Sequence, residues 1–151
     1  MLAVTVDFAT LLLGALVVGA MFGAWLFLNP KGLDGNTYVT LQQQAIRTMN
    51  KTMPALGAVT ILATMTAAVL AREDRLRLCL LIAAAACFAS IGLITRFLNQ
   101  PINAIVMTWR ADSPPSNWIA LRDAWWRWHL VRLATGLLGL SLVIVATVKR
   151  G

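Results

Sequence analysis

The residues able to do chemistry crowd into one stretch, Arg96 to Arg132. It holds the chain's single histidine, His129, and five of its six tryptophans, Trp109, Trp118, Trp125, Trp126 and Trp128. On a helix, Arg122, Trp125 or Trp126, His129 and Arg132 recur at i, i+3 or i+4, i+7 and i+10, so they share one face. Two guanidiniums, an indole and an imidazole are costly to turn toward lipid, so this face looks into a bundle or to water. An imidazole beside Arg132 and an amide such as Asn103 suits a general base whose neighbours stabilise a developing oxyanion. Indole faces suit a flat aromatic ligand. The plainer alternative is an aromatic belt with arginines on lipid headgroups. It accounts for most of the tryptophans and for Arg122, but less well for His129 and Arg132, which lie deeper toward an apolar run.

Other chemistries lack their residues. One histidine does not make a bis-histidine haem site or a multi-histidine di-iron or copper centre. The acids are Asp7, Asp34, Glu73, Asp74, Asp112 and Asp123, of which only the last two accompany the tryptophans. There is no glycine-rich phosphate loop, paired-carboxylate device or Ser-x-x-Lys motif. No metal site and no cofactor are expected. Cys79 and Cys87, eight residues apart on one helix, stand about 12 Å apart along the axis, too far for a disulfide.

Composition says what must position these groups. Of 151 residues, 59% are hydrophobic and 13% charged, against roughly a quarter charged in soluble chains; mean hydropathy is +0.73. A membrane span needs about 20 apolar residues. Four runs qualify, about 8–28, 54–71, 78–95 and 129–148, and the length suits a single domain over 1–151. The first run lacks the charged n-region and cleavage site of a signal peptide. Its Ala15, Gly19 and Gly23 repeat every four residues, a stripe open to close helix approach by a homo-oligomer or membrane-complex partner. Asn29-Pro30 stops it, and either Asn36 or Thr37 caps the next helix. In that helix Gln43, Arg47 and Asn50 share a face, either a solvated surface or part of a site. Pro54 either kinks the helix or opens a fresh first turn. Arg72, Arg75 and Arg77 in a tight turn read as topology anchors. Arg96 either snorkels to the interface or points inward. Pro101 interrupts or kinks the helix beside Asn99 and Asn103. Pro114-Pro115 forbids a helix, and Ser116 or Asn117 caps the last one, which starts near Trp118 and is too long for the hydrocarbon core.

The expectation is an all-α integral membrane four-helix bundle with extended, amphipathic helix ends and a capped site on one side. The net charge of +7 sits at the ends of the apolar runs, which points to the lipid bilayer and not to nucleic acid. The raw Lys/Arg count places the elaborate end in the cytoplasm. If several of those arginines serve a ligand, the compact 71–77 turn dominates and both termini are cytoplasmic; this second orientation is the one expected.

The segments FLNQPINAIVMTW and PPSNWIALRDAWWRWHLVR resemble the Asn-x-Pro-x-Asn … Trp … Trp-x-x-Leu-Arg … Trp … His/Asn-x-x-Arg signature of the anthrone-oxygenase-like membrane family. The likeness extends to GAMFGAWLFLNP and LQQQAIRTMNKTMP, and so over most of the chain. It implies a small four-helix protein, multi-pass in the bacterial cytoplasmic membrane. Some fungal members oxidise hydroxyanthrones to anthraquinones with dioxygen and no evident metal or flavin. Carried over, the resemblance draws attention to Asn99, Pro101, Asn103, Trp109, Trp118, Arg122, His129 and Arg132. Two functions are expected in competition. One is an oxygenase of an electron-rich aromatic, with dioxygen as co-substrate; His129, Arg132 and Asn103 are its catalytic groups, and Asn99, Trp109, Trp118, Arg122, Trp125, Trp126, Gln43 and Arg47 bind its substrate. The other is a non-catalytic membrane module, either a lipid or quinone binder or a small subunit.

Overall fold

The computed structural model describes residues 1–149; Arg150, one of the basic residues expected to mark the end that carries the termini, lies outside them. Four long helices run up and down: α1 (Leu2–Phe27), α2 (Gly35–Leu70), α3 (Arg75–Ile94) and, after a short helix, α5 (Trp118–Val148). A π-turn, Thr95–Asn99, continues α3 into α4 (Gln100–Val106). All four spans are long and apolar enough to cross a membrane, and the fold is that of an integral membrane bundle. α1 packs on α2 and α5, and α3 packs on α2 and α5, which closes the ring.

Small residues set the closeness of that ring, though not those of the Ala15 stripe. An added Cβ at Gly136 of α5 would stand 2.7 Å from Met21 and 3.2 Å from Val18 of α1, and one at Gly139 would stand 3.0 Å from Cys87 of α3. Gly19 and Gly23 meet open space instead. The stripe lies on the outside of α1, and the helix approach inside the bundle is carried by α5.

The spans are longer than the apolar runs suggest. α1 begins at Leu2 with Asp7 inside it, because Asp7 is buried against Arg77 (3.0 Å). Arg77 also donates through Nε to the Ala146 carbonyl (2.9 Å). It is therefore no surface anchor: it ties α1, α3 and α5 together at the terminal end. α2 continues through Pro54 as one helix of 36 residues, about 54 Å at 1.5 Å per residue and well beyond a hydrocarbon core of about 30 Å. Its cap is Asp34, one carboxylate oxygen of which accepts from the Thr37 N–H (3.0 Å) and the other from its hydroxyl (2.8 Å). Neither Asn36 nor Thr37 is the cap. The same contacts hold the Asp34 carboxyl below the usual carboxylate range. α4 ends at Val106, with the carbonyls of Val106 and Trp109 both accepting from Gln43 Nε2 at 2.9 Å. α5 starts at Trp118 after Asn117, whose side chain makes no capping bond. The first turns of α2, α4, the 107–117 connection and the start of α5 form the extended end of the bundle.

A candidate active site at the extended end

The site is built on α5. His129 is 1% exposed. Helical spacing lays Trp125 and Trp126 beside it one turn back, each ring 5.3 Å from the imidazole and inclined to it by 3° and 19°. Both ring nitrogens are engaged. Nε2 lies 3.2 Å from the Met21 carbonyl of α1, and Nδ1 lies 3.1 Å from an Arg132 nitrogen. A guanidinium only donates, so Nδ1 accepts; a carbonyl only accepts, so Nε2 carries the proton. The contacts therefore specify the neutral Nε2–H tautomer.

Arg132 reaches further. Its other terminal nitrogen donates to Thr95 Oγ1 (2.9 Å), and that hydroxyl donates to the Ile91 carbonyl (2.7 Å). Thr95 is the first residue of the π-turn, so a chain of hydrogen bonds joins α3 to α1, with Arg132 donating in both directions, to Thr95 and to His129. The guanidinium carbon lies 5.9 Å from the Trp125 ring centre. Arg132 Nε is buried without a hydrogen-bond partner.

Asn103 completes the group from α4. Its Oδ1 accepts from Trp125 Nε1 (2.8 Å) and, at 3.5 Å, from Gln42 Nε2. These two donors identify the oxygen end of the amide and leave the NH2 end to donate. Asn103, Trp125, His129 and Arg132 share the wall of one cavity of about 110 Å³ with Gln42, Asn50, Thr95 and Gln100, and with apolar residues of α1 and α2 such as Met21, Ile46 and Met53. Gln100 donates to Asn50 across it (3.1 Å). The lining holds no carboxylate.

The remaining sequence candidates lie elsewhere. Asn99 is buried away from the cavity and donates to the Trp125 carbonyl (3.1 Å). Gln43 holds the end of α4, and Trp109 packs on the Ile46, Ile102 and Val106 cluster. Trp118 stacks on Tyr38 with ring centres 5.7 Å apart. Arg122 lies over Trp118 at 5.1 Å and is buried against Asp123 and the Pro30 carbonyl, so it is not a headgroup contact. Trp126 supports His129 from behind the wall, and Arg47 is exposed. These residues frame the cavity or close its end. Gln42, Thr95 and Gln100 were missed, and Asn50 had been named only with Gln43 and Arg47, on a face read as solvated or part of a site. Gln42 did leave a signal: on the face Gln42, Ile46, Met49 and Met53 it is a lone amide among apolar side chains.

Fold and site together define a small four-helix membrane protein with a mixed polar and aromatic cavity near one end of the bundle. A family model described as anthrone oxygenase matches residues 43–142. The chain belongs to the anthrone oxygenase family. The match begins inside α2, so α1 and its Met21 carbonyl lie outside it. No curated protein and no solved structure matches the chain.

Proposed function

We propose that this protein is a cofactor-independent oxygenase acting on an electron-rich, hydroxyanthrone-like aromatic at the membrane interface. The observation that carries the reading is the convergence of His129, Arg132, Asn103 and Trp125 on one cavity. An anthrone has an acidic CH2 group opposite a ring carbonyl. One proton leaves for a base, and the remaining anion is stabilised at the carbonyl oxygen. Transfer of one electron to dioxygen and recombination form a C–O bond at the former CH2 carbon. Loss of the second C–H proton with cleavage of the O–O bond leaves a new carbonyl. One oxygen atom of dioxygen enters the quinone and the other leaves as water.

The site supplies the base and the stabilising donors. His129 Nδ1 accepts a proton only once Arg132 stops donating to it. An incoming substrate oxyanion competes for that donor. When Arg132 turns to the oxyanion, the Nδ1 lone pair is released as the negative charge is met. The NH2 end of Asn103 is a second donor for the same oxygen, and the Trp125 face lies along the ring system. Preorganised donors of this kind are worth about 10²–10³ in rate each.

The test is oxygen uptake by the purified protein with 1,8-dihydroxyanthrone. The expected result is one dioxygen consumed per anthraquinone formed, with one ¹⁸O atom from labelled dioxygen in the product. Turnover at the uncatalysed rate would remove the proposal. A second reading, a binder without turnover, draws on the occupation of both His129 nitrogens. It expects saturable binding of the same compound with no oxygen uptake.

We propose also that the site end faces the cytoplasm. Arg77, Arg122 and Arg132 are committed to internal contacts. The exposed basic residues are then Lys31, Arg47, Lys51, Arg96, Arg110 and Arg127 at the site end, against Arg72, Arg75 and Lys149 among the described residues of the other. Positive charge favours the cytoplasmic side. This reverses the orientation expected from sequence, which rested on several site-end arginines leaving the surface while Arg77 stayed on it.

A further inference from the structure

A second cavity of about 300 Å³ lies beside the first, farther along the spans. The two share Met21, Met53, Pro54, Thr95, Gln100 and Arg132, so Arg132 stands at the neck between them. The floor is deeply buried and mostly apolar: Val17, Thr60, Phe88 and Ile91 are each at most 8% exposed. Its rim is exposed, with the small Ala58 of α2 and Gly92 of α3 and, one turn beyond Gly92, the charged Arg96. A Cβ at Gly57 or Gly92 would meet nothing within 4 Å. The chamber therefore opens between α2 and α3, at the level of their apolar runs.

Sites for drug-sized ligands run to about 300–1,000 Å³. The first chamber alone falls short of that range, and the two together reach it. The first sets amides, indole and imidazole among apolar side chains; the second is mostly apolar, with Thr60 and Arg96 its polar groups besides those shared with the first. Arg132, with an unspent Nε donor between them, is placed to hold an oxygen at their junction.

We infer that the substrate is an amphiphile: an oxygenated aromatic head held at His129, Arg132 and Asn103, carrying an alkyl chain that lies in the second chamber and enters from the bilayer between α2 and α3. The inference rests on the proposed reading of the first chamber for its head group and goes beyond it in the chain and the route. A chain already dissolved in lipid gains little by leaving water, so its contribution to binding comes from van der Waals contact with the packed floor and from holding the head in register.

Two measurements on the full chain in phosphatidylcholine nanodiscs test this. The first compares binding of 1,8-dihydroxyanthrone and its n-octyl homologue by tryptophan quenching. The octyl compound is expected to bind tenfold or more tighter, and Gly57→Leu is expected to reduce that preference below twofold. An equal preference in both proteins, or none in the wild type, overturns the inference. The second uses an alkylphenol with a diazirine at the chain end, which needs no turnover. Adducts are expected at residues 57–61 and 88–92. Adducts confined to the outer face of α1 overturn the inference, as does equal labelling of the chamber by a diazirine phosphatidylcholine, which marks it as a lipid acyl-chain site. Chamber adducts without oxygen uptake would retain the amphiphile site and discard the oxygenase. Oxygen uptake with adducts only elsewhere would do the reverse.

Discussion

His129 Nδ1 and Arg132 cannot both serve a substrate while they serve each other. That exchange makes the pair act as one unit. His129→Ala removes the base and lets Arg132 swing, and turnover of the anthrone is expected to fall about 10²–10⁴-fold, the span of general-base contributions. Arg132→Lys keeps the charge. A single ammonium cannot reproduce the planar fork that spans Thr95 and His129, so kcat is expected to fall about 10²–10³-fold. Steady-state oxygen uptake checks both. A Lys variant with wild-type kcat would show that the fork does not matter. The sequence brought His129, Arg132, Asn103 and Trp125 forward because their types are expensive in a membrane. It could not separate Asn103 from Asn99, or Gln42 from Gln43, because periodicity names a face without saying how far a helix is turned. The turn at Thr95–Asn99 winds one residue more than an α-turn. It leaves Asn99 against the Trp125 carbonyl and Asn103 on the cavity.

At the scale of the elements, α5 is the ruler. Gly136 brings it against α1 closely enough for His129 to reach the Met21 carbonyl. Gly136→Val presses on Met21 and Val18, and overpacking of this kind costs about 1–3 kcal/mol. The expected outcome is a lower melting temperature in detergent, with turnover reduced further than stability alone explains. Gly19→Val, whose Cβ meets open space, is expected to leave the monomer's melting temperature unchanged. The start of α2 responds to pH. The Thr37 N–H and hydroxyl depress the Asp34 carboxyl, so its capping contribution is present above the unfolded carboxylate range and is lost as pH falls through the depressed value. Protection of the amides at residues 35–38, measured against their intrinsic exchange rates, should fall in acid, and Asp34→Asn should remove that pH dependence. The length of α2 was hidden in the sequence because Pro54 read as a kink or as the first turn of a new helix. The bundle tolerates it within a helix whose neighbours are already packed.

For the molecule as a whole, four apolar runs joined by two elaborate connections and one tight turn already specified an up-and-down bundle, and the structure has a polar and aromatic cavity toward the end with the elaborate connections. The end opposite was misread, because a basic turn looks the same whether its arginines face headgroups or a buried aspartate. Asp7, Arg77 and the Ala146 carbonyl join three helices there. Breaking a buried pair costs about 3–5 kcal/mol, whereas replacing both partners with apolar residues is often near neutral. Arg77→Met should therefore destabilise the bundle strongly, and addition of Asp7→Leu should restore much of the loss in thermal unfolding. If the single and double variants melt together, the pair is not what ties that end.

The imidazole itself gives the most direct reading of the site. His129 is the only histidine, so the protein grown on ¹⁵N-histidine reports one ring. Without ligand, the nitrogen spectrum should show a protonated Nε2 and a hydrogen-bonded, unprotonated Nδ1. Addition of 1,8-dihydroxyanthrone without oxygen should move the proton population onto Nδ1 as Arg132 turns to the substrate oxygen. A ring that begins as the Nδ1–H tautomer, or that is unchanged by saturating anthrone, would contradict the account.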